Sequence, residues 1–345
     1  VGTFELRPIL PAPEPFGYRN KMEFTVAEGP TGPVIGLHEA ERYDVVLDVE
    51  RCLLQSDTMN ALLAATREEA RNRQLDVWDQ DTGRGLLRFV AVREGRRTGD
   101  AMLNVVAASP DVETLGPMAE RLQQRVPALA SIVLNVNAKQ AAVAVGSEEH
   151  VLVGRDHITE TLDGVTFQVS ASSFFQTNTL QAERLFAVVV SACELTRDDT
   201  AIDLYSGTGA ISLLLARRAR RVFGVEVSAA AVADAVRNAG LNGIENCTFL
   251  AGEVRHVLPA LVQEGVTADV VVADPPRAGF HPKALSALVS LAPPRLVYVS
   301  CNPATLARDV SELVRQGYRL EWVQPVDMFP QTPHIEAVAR LRRGT

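Results

Sequence analysis

Three short segments of this chain hold side chains that could do chemistry. SCNPATLARD places Cys301 at the end of the apolar run RLVYVSC (295–301), DPPR stands at 274–277 and DLYSGTG at 203–209. Each follows a strand-like apolar run, so in a parallel sheet all three reach the carboxyl edge, where open α/β folds bind ligands. A cysteine at that edge is a candidate nucleophile, because covalent addition of a thiolate can make an unreactive atom reactive. Carbon 5 of uracil is one such atom. It is too weak a nucleophile to attack a methyl sulfonium, but becomes an enolate carbon once a thiolate adds at C6. The adduct then needs a base to take the C5 proton. Glu336, in PHIEAVARL, suits that task, because a closing antiparallel strand starts at the edge where its parallel neighbours end. His334, two residues earlier, is the alternative base.

The DLYSGTG turn reads as a cofactor site. Gly207 and Gly209 let the backbone turn tightly against a ligand, and the helix after them offers free N–H groups. Glu226 ends the next strand, where an acid can accept both hydroxyls of a ribose. Glu253 follows the third strand, within reach of an adenine amino group, and Asp274 ends the fourth, facing the methyl end of the cofactor or the substrate base. The full GxGxxG pattern for a pyrophosphate is absent, which favours a single-nucleoside cofactor such as S-adenosylmethionine over NAD. Arg277 stands where amino-group methylases carry a stacking aromatic, against that reaction. Asn302 and Pro303 suit the N-cap and first turn of a helix whose positive end should lower the pKa of the Cys301 thiol.

The elements that must position these residues alternate from about residue 177. Strands are expected at 200–205, 221–227, 247–251, 268–273 and 295–301, with helices at 210–219, 229–240, 254–264, 282–291 and 303–316. This is a doubly wound, mostly parallel Rossmann-like α/β sheet. YRLEWVQPV and HIEAVARLRR have no helix between them and should pair antiparallel at the sheet edge. Residues 1–170 read as a strand-rich mixed α/β domain for substrate recognition, and 171–345 as the catalytic domain. In the first, EFTVAEG and VIGLHEA flank a PTGP turn, YDVVLDV is a strand, and Ser56 or Asp57 caps a helix running to about 74. Two strands flank GRRTG (95–99), and a helix from 111 precedes the strands SIVLNVN and AAVAVG.

Length fits two domains, and no apolar run approaches the roughly 20 residues of a membrane span. No signal peptide is visible, so a cytoplasmic location is expected. The net charge of −8 argues mildly against a nucleic-acid partner, though local patches set the field a ligand meets. Cys52, Cys193, Cys247 and Cys301 are widely spaced without a CxxC, against a zinc site or a disulfide framework. Val1 is consistent with a chain that starts inside a longer protein.

These segments resemble the RNA uridine-5-methyltransferase family, from YRNKMEF (18–24) to HIEAVARL (334–341), with SCNPATLARD the most specific match. The resemblance implies a methyltransferase fold and S-adenosylmethionine as cofactor. It makes Cys301 the nucleophile and Glu336 the base. It places Gln176 of FFQ-x-N and Tyr205 beside the cofactor, with Glu226, Glu253 and Asp274 as its acids. Ala210 stands where some members have Asn, and Glu253 where a shorter side chain is usual. A subset of the family holds a [4Fe–4S] cluster, and Cys52 resembles its fourth ligand. The other three are absent, so a cluster is expected only in a longer form. The small RNA-binding β-barrel of many members has no room in this chain.

The implied partner is RNA, with ribosomal RNA favoured through Cys52 and the transfer-RNA T-loop as the alternative. Arg19 and Lys21, then Arg93, Arg96 and Arg97, are candidate phosphate contacts, while Arg277 and Arg308 could steady the base or backbone. A monomer without membrane association is expected. RNA cytosine-5-methylation is a weaker rival, because DPPRAGF lacks the second cysteine common there. A non-catalytic RNA-binding protein on this fold, or a small-molecule methyltransferase, would not need both Cys301 and Glu336.

Overall fold

The computed structural model describes residues 2–139, 146 and 148–344. They form two compact units, one of Phe16–Thr161 with Gln168–Ser172, the other of Val1–Pro15, Leu162–Phe167 and Ser173–Thr345. The chain opens with the short strand β1 (Glu5–Leu6), which belongs to the second unit.

The first unit holds β2 (Lys21–Ala27), β3 (Val34–Glu39), β4 (Arg42–Asp48), α1 (Asp57–Asn72), β5 (Leu87–Glu94), β6 (Ala101–Ala107), α2 (Val112–Arg125), β7 (Leu129–Val136) and β8 (Glu148–Gly154). Its seven strands run in the order β4-β3-β2-β5-β6-β7-β8, antiparallel except for the β6–β7 pair that α2 connects. The period of two in β2 buries Met22, Phe24 and Val26 on one face. These join Met59, Leu62 and Leu63 of α1 and Leu115, Met118 and Leu122 of α2 in one core. Ser56 caps α1, its Oγ accepting from Met59 N at 3.1 Å. The expected strand AAVAVG (141–146) lies outside the described residues except for Gly146, and β8 follows it in a segment whose charged start hid it. The hairpin β9 (His157–Leu162) and β10 (Val165–Ser170), also without a sequence expectation, contributes residues to both units.

The second unit continues with α3 (Thr179–Cys193), β11 (Thr200–Leu204), α4 (Ala210–Ala216), β12 (Arg221–Glu226), α5 (Ala229–Leu241), β13 (Cys247–Ala251) and α6 (Val254–Gln263). Then come β14 (Val270–Ala273), α7 (Pro282–Leu291), β15 (Arg295–Ser300), α8 (Pro303–Arg315), β16 (Tyr318–Val326) and β17 (Glu336–Arg343). The expected alternation is present, with ends shifted by a few residues. Strand order is β1-β16-β17-β15-β14-β11-β12-β13, and β17 runs antiparallel to both neighbours. The expected antiparallel pair is there, but β16 is not the edge, because β1 pairs parallel beyond it. Backbone bonds from Arg7 N to Val323 O and Leu10 N to Pro325 O, both 2.9 Å, and a side-chain bond from Gln181 Nε2 to Leu10 O, also 2.9 Å, attach the first residues to this unit. Among the described residues no helix is long and apolar enough to cross a membrane.

Arg340 of β17 is 9% exposed and pairs with Glu194 (2.7 Å) and Glu321 (2.9 Å), and Arg342 pairs with the same two acids. The hydrogen bond from Arg340 is the largest cause holding Glu194 below its ordinary pKa. A depressed carboxylate stabilises the fold above its unfolded pKa and loses that effect as pH falls through the folded value. Arg340→Met should therefore lower stability by about 1–3 kcal/mol at pH 7, as breaking a charge-assisted bond does. The difference should shrink below about pH 4, where the acids are protonated. Urea unfolding at the two pH values measures it.

Candidate active site

The candidate reacting pair is placed by strand register. Ser300 of β15 lies opposite Ala337 of β17, so the next residues outward, Cys301 and Glu336, meet across the antiparallel pair. Leu204 pairs with Ala273, and Asp274 N donates to Leu204 O (3.3 Å), which brings Asp274 to the same edge. Asn302 caps α8 as expected, its Oδ1 accepting from Ala304 N at 3.0 Å. Its Nδ2 also donates to Arg277 O (3.3 Å), as does the Thr305 hydroxyl (3.2 Å), so the SCNP and DPPR segments hold each other. Beneath them, buried Asp309 accepts from Phe280 N and the Tyr298 hydroxyl, both 2.8 Å. Gly279 has φ of +78°, and a Cβ there would lie 2.4 Å from Asp309 Oδ2, so both backbone conformation and space exclude a side chain.

Electrostatics at this edge differ from the sequence expectation in one respect. The Cys301 thiol is pushed above its ordinary pKa, not below it. Burial is the largest cause, followed by the negative charges of Glu336 and Asp274. The Cys301 backbone hydrogen bond and the Arg277 guanidinium pull weakly the other way. The helix terminus is outweighed because its partial charge competes with two full ones nearby. Glu336, 6% exposed, is raised to about 8 by burial and by Asp274. Asp274 is raised to about 7, since surrounding atoms desolvate its carboxylate although part of its surface reaches the cleft. His334 is exposed, its ring edge-on to Phe329 at 6.4 Å, and belongs to the loop rather than to the strand end.

A cleft beside the pair is lined by Phe174, Phe175, Gln176, Asp203, Tyr205, Ser206, Gly207, Thr208 and Asp274. Tyr205 takes a φ of +67° at the turn, which a side chain adopts only under constraint, here backbone bonds from Tyr205 and Ser206 to Val225 O. Gly209 (φ +86°) leaves room for Phe249, whose ring would lie 3.1 Å from a Cβ. The Glu226 carboxylate accepts from Gly207 N (3.1 Å) and Ser228 N (2.8 Å), which fixes it at the strand end. Glu253 is engaged by Arg255 and lies near His256, so its carboxylate is turned toward these side chains. Asp203 was not singled out in the sequence. It is fully buried at the cleft, takes the Ser212 hydroxyl at 2.6 Å, and its other oxygen has no partner among the described residues. Burial raises it to about 7. An orphaned buried oxygen calls for a donor, and the cationic amino group of S-adenosylmethionine supplies one. The cleft therefore fits that cofactor. The acid ending the first strand was the available signal. Phe174, 69% exposed at the rim, gave none beyond its place in FFQ.

Arg277 apart, other candidates belong to the first unit or are engaged. Arg308 donates to Ala278 O (2.8 Å) and pairs with Asp309, so it braces the loop. Arg277 is exposed, and its guanidinium has no hydrogen-bond or ion-pair partner among the described residues. Arg19, Lys21 and Cys52 belong to the first unit. Lys21 pairs with Glu23 at 2.6 Å and sits opposite Arg93; burial, then that neighbouring charge, lowers its pKa. Arg93 is itself buried, which removes it from the candidate phosphate contacts, and Arg19 donates to the Met22 sulfur. Cys52 packs against the core of the first unit, its N–H bonded to Asn60 Oδ1 at 2.8 Å. The described residues hold no group of three or more His, Cys, Asp or Glu placed for a metal, so a [4Fe–4S] cluster, which needs four ligands, does not fit them.

The raised Glu336 has a consequence for stability. The unfolded chain ionises this carboxyl at its ordinary value, so between there and about 8 the fold loses stability as pH rises. Glu336→Gln should stabilise the protein at pH 8 by roughly 1–3 kcal/mol and hardly at pH 5, as thermal unfolding at both values would show.

Comparison with known proteins agrees with this geometry. Residues 117–343 match the family described as tRNA (uracil-5-)-methyltransferase. An uncharacterized RNA methyltransferase of Gloeobacter violaceus is 42% identical over 98% of this chain and 73% of its own length. One of Chlorobaculum tepidum is 39% identical over 100% and 76%. Among solved structures, the tRNA (uracil-54, C5)-methyltransferase of Pyrococcus abyssi, in complex with S-adenosyl-L-homocysteine, superposes with a TM-score of 0.80 at 32% identity. It covers 96% of this chain and 78% of that one. The chain thus belongs to the tRNA (uracil-5-)-methyltransferase family, and is an RNA (uracil-C5)-methyltransferase that uses S-adenosylmethionine.

Proposed function

We propose that this enzyme methylates C5 of a uridine in transfer RNA, with Cys301 as nucleophile and Glu336 as base. The observation that carries the reading is the β15–β17 register, which sets the two side chains against each other at the ligand edge. Transfer RNA is supported by the family description and by the likeness to the Pyrococcus abyssi enzyme along nearly the whole chain. Ribosomal RNA has the weaker support, because it rested on Cys52, which has no cluster-forming neighbours among the described residues.

In this reading Gln176, Tyr205, Gly207, Gly209, Glu226 and Asp274 hold the cofactor, with Asp203 as the partner of its amino group. When bound, S-adenosylmethionine supplies an electrophilic methyl group to C5. The Cys301 sulfur adds to C6 of a uridine turned out of its stack, and the electron pair moves to make C5 nucleophilic. Glu336 then takes the C5 proton, and the C6–S bond breaks to restore the ring and the thiolate. Both roles need deprotonated groups whose pKa values are raised, Glu336 to about 8 and the thiol above its ordinary range, so the rate should still be climbing as pH passes 8. Arg277 is the side chain whose charge favours the thiolate, and it also suits a phosphate or base oxygen.

Cys301→Ala should abolish methylation while leaving cofactor binding intact in calorimetry; loss of binding would make the cysteine structural. Glu336→Gln should slow turnover by about 100-fold or more, the scale of a positioned base. It should also accumulate a protein–RNA adduct that survives denaturing electrophoresis, and full turnover would remove Glu336 as the base. Total RNA from a strain lacking the gene, incubated with methyl-labelled S-adenosylmethionine and fractionated, should carry label in 5-methyluridine of tRNA. Label confined to ribosomal RNA would overturn the substrate assignment.

A further inference from the structure

Helix α5 reaches two walls of the cofactor cleft from neighbouring positions. Asn238 donates from Nδ2 to Thr208 O at 3.3 Å, and Ala235 packs where a Cβ on Gly209 would come within 3.1 Å. One residue before Ala235, Asp234 accepts the hydroxyl of Ser173, while its other oxygen pairs with Arg237. Ser173 directly precedes Phe174, Phe175 and Gln176, which line the same cleft. Asp234 is 5% and Ser173 7% exposed, so their bond is shielded from water and correspondingly strong.

The segment from Ser173 to Asn178 has no helix or strand of its own. Its position is therefore set by anchors. At its far end Asn178 caps α3 and donates from Nδ2 to Met328 O at 3.0 Å, and Phe175 packs on Phe167 with ring centres 5.6 Å apart. At its near end Ser173 is bonded to Asp234. A buried carboxylate is a costly choice if helix packing alone were needed, because an apolar side chain of similar volume would pack α5 without desolvating a charge. What the carboxylate adds is a directional bond to the one residue that leads into the lining.

We propose that Asp234 is a positioning residue for the cofactor. Through Ser173 it fixes Phe174 and Gln176 in the cleft, so one helix sets both the glycine turn and the segment facing the ligand. This rests on the reading of the cleft as the S-adenosylmethionine site. Without the bond the lining segment loses a buried anchor at its near end, and the cofactor must supply more of its order on binding.

Calorimetry with S-adenosylmethionine on the whole protein, paired with kcat on RNA, tests the proposal. Asp234→Ala and Ser173→Ala should each weaken cofactor binding by about tenfold, the worth of one charge-assisted hydrogen bond. The double variant should be no weaker than either single one, since both remove the same bond. Asp234→Asn keeps an acceptor for Ser173 and should stay within about threefold of wild type. Arg237→Ala, which removes only the half-exposed partner, should leave affinity unchanged. Additive losses, equal damage from Asn and Ala at 234, or single variants binding like wild type would each overturn the proposal. Should Asp234→Ala fail to fold, Ser173→Ala and Asp234→Asn still carry the comparison. Wild-type protein that gave no binding would refute the cofactor site itself. Normal wild-type binding, unaltered in the variants, would refute only the role of Asp234.

Discussion

The insertion of β17 antiparallel between β15 and β16 is the constraint on which the site depends. In a purely parallel sheet every strand starts at the edge away from the ligands, so no residue at a strand start could meet one at a strand end. Reversing one strand brings the first residue of β17, Glu336, level with the residue that leaves β15, Cys301. The arrangement is sensitive, because a slip of one residue turns every side chain of a strand to the other face. Continuous pairing along Arg295–Ser300 and Ala337–Arg342 on one side, and along Trp322–Val326 on the other, guards against such a slip. The bonds from Asn302 and Thr305 to Arg277 O then fix the loop after β14 to the start of α8, so the cysteine and the DPPR segment cannot drift apart.

Acids gathered at this edge oppose the fold that holds them. Asp203, Asp274 and Glu336 all sit where burial raises their pKa, and the Asp274 charge raises the other two further. Such a cluster is unfavourable at neutral pH in the absence of a cation, and a cationic ligand would relieve it. The same field keeps the Cys301 proton on in the free protein, which limits unwanted reaction of an accessible thiol. Cys193 and Cys247 are pushed up by burial and lie on core elements, so the four cysteines differ in environment more than in sequence setting.

The net charge of −8 does not say which cations can meet RNA, and many of them are already paired or buried. Lys21 pairs with Glu23, Arg93 is buried, Arg308 is tied to Asp309, and Arg340 and Arg342 share two glutamates. Arg277, exposed at the rim beside Cys301, is the candidate that keeps its charge for a ligand.

The alternating run of strands and helices after residue 200 was legible from the chain alone, because local periodicity and capping residues such as Asn302 determine such elements. So was the placing of Cys301, Glu336, Asp274 and the glycine turn at the ends or start of elements. Short or charged strands such as β1 and β8 were not, because they carry too few residues or too little apolar contrast to show a period. Only the tertiary structure decided the direction of the Cys301 pKa, the engagement of Arg308 and Glu253, and the place of Asp203 and Asp234. These depend on which charges and hydrogen-bond partners arrive from distant segments, and spacing along a chain carries no record of distance across a sheet.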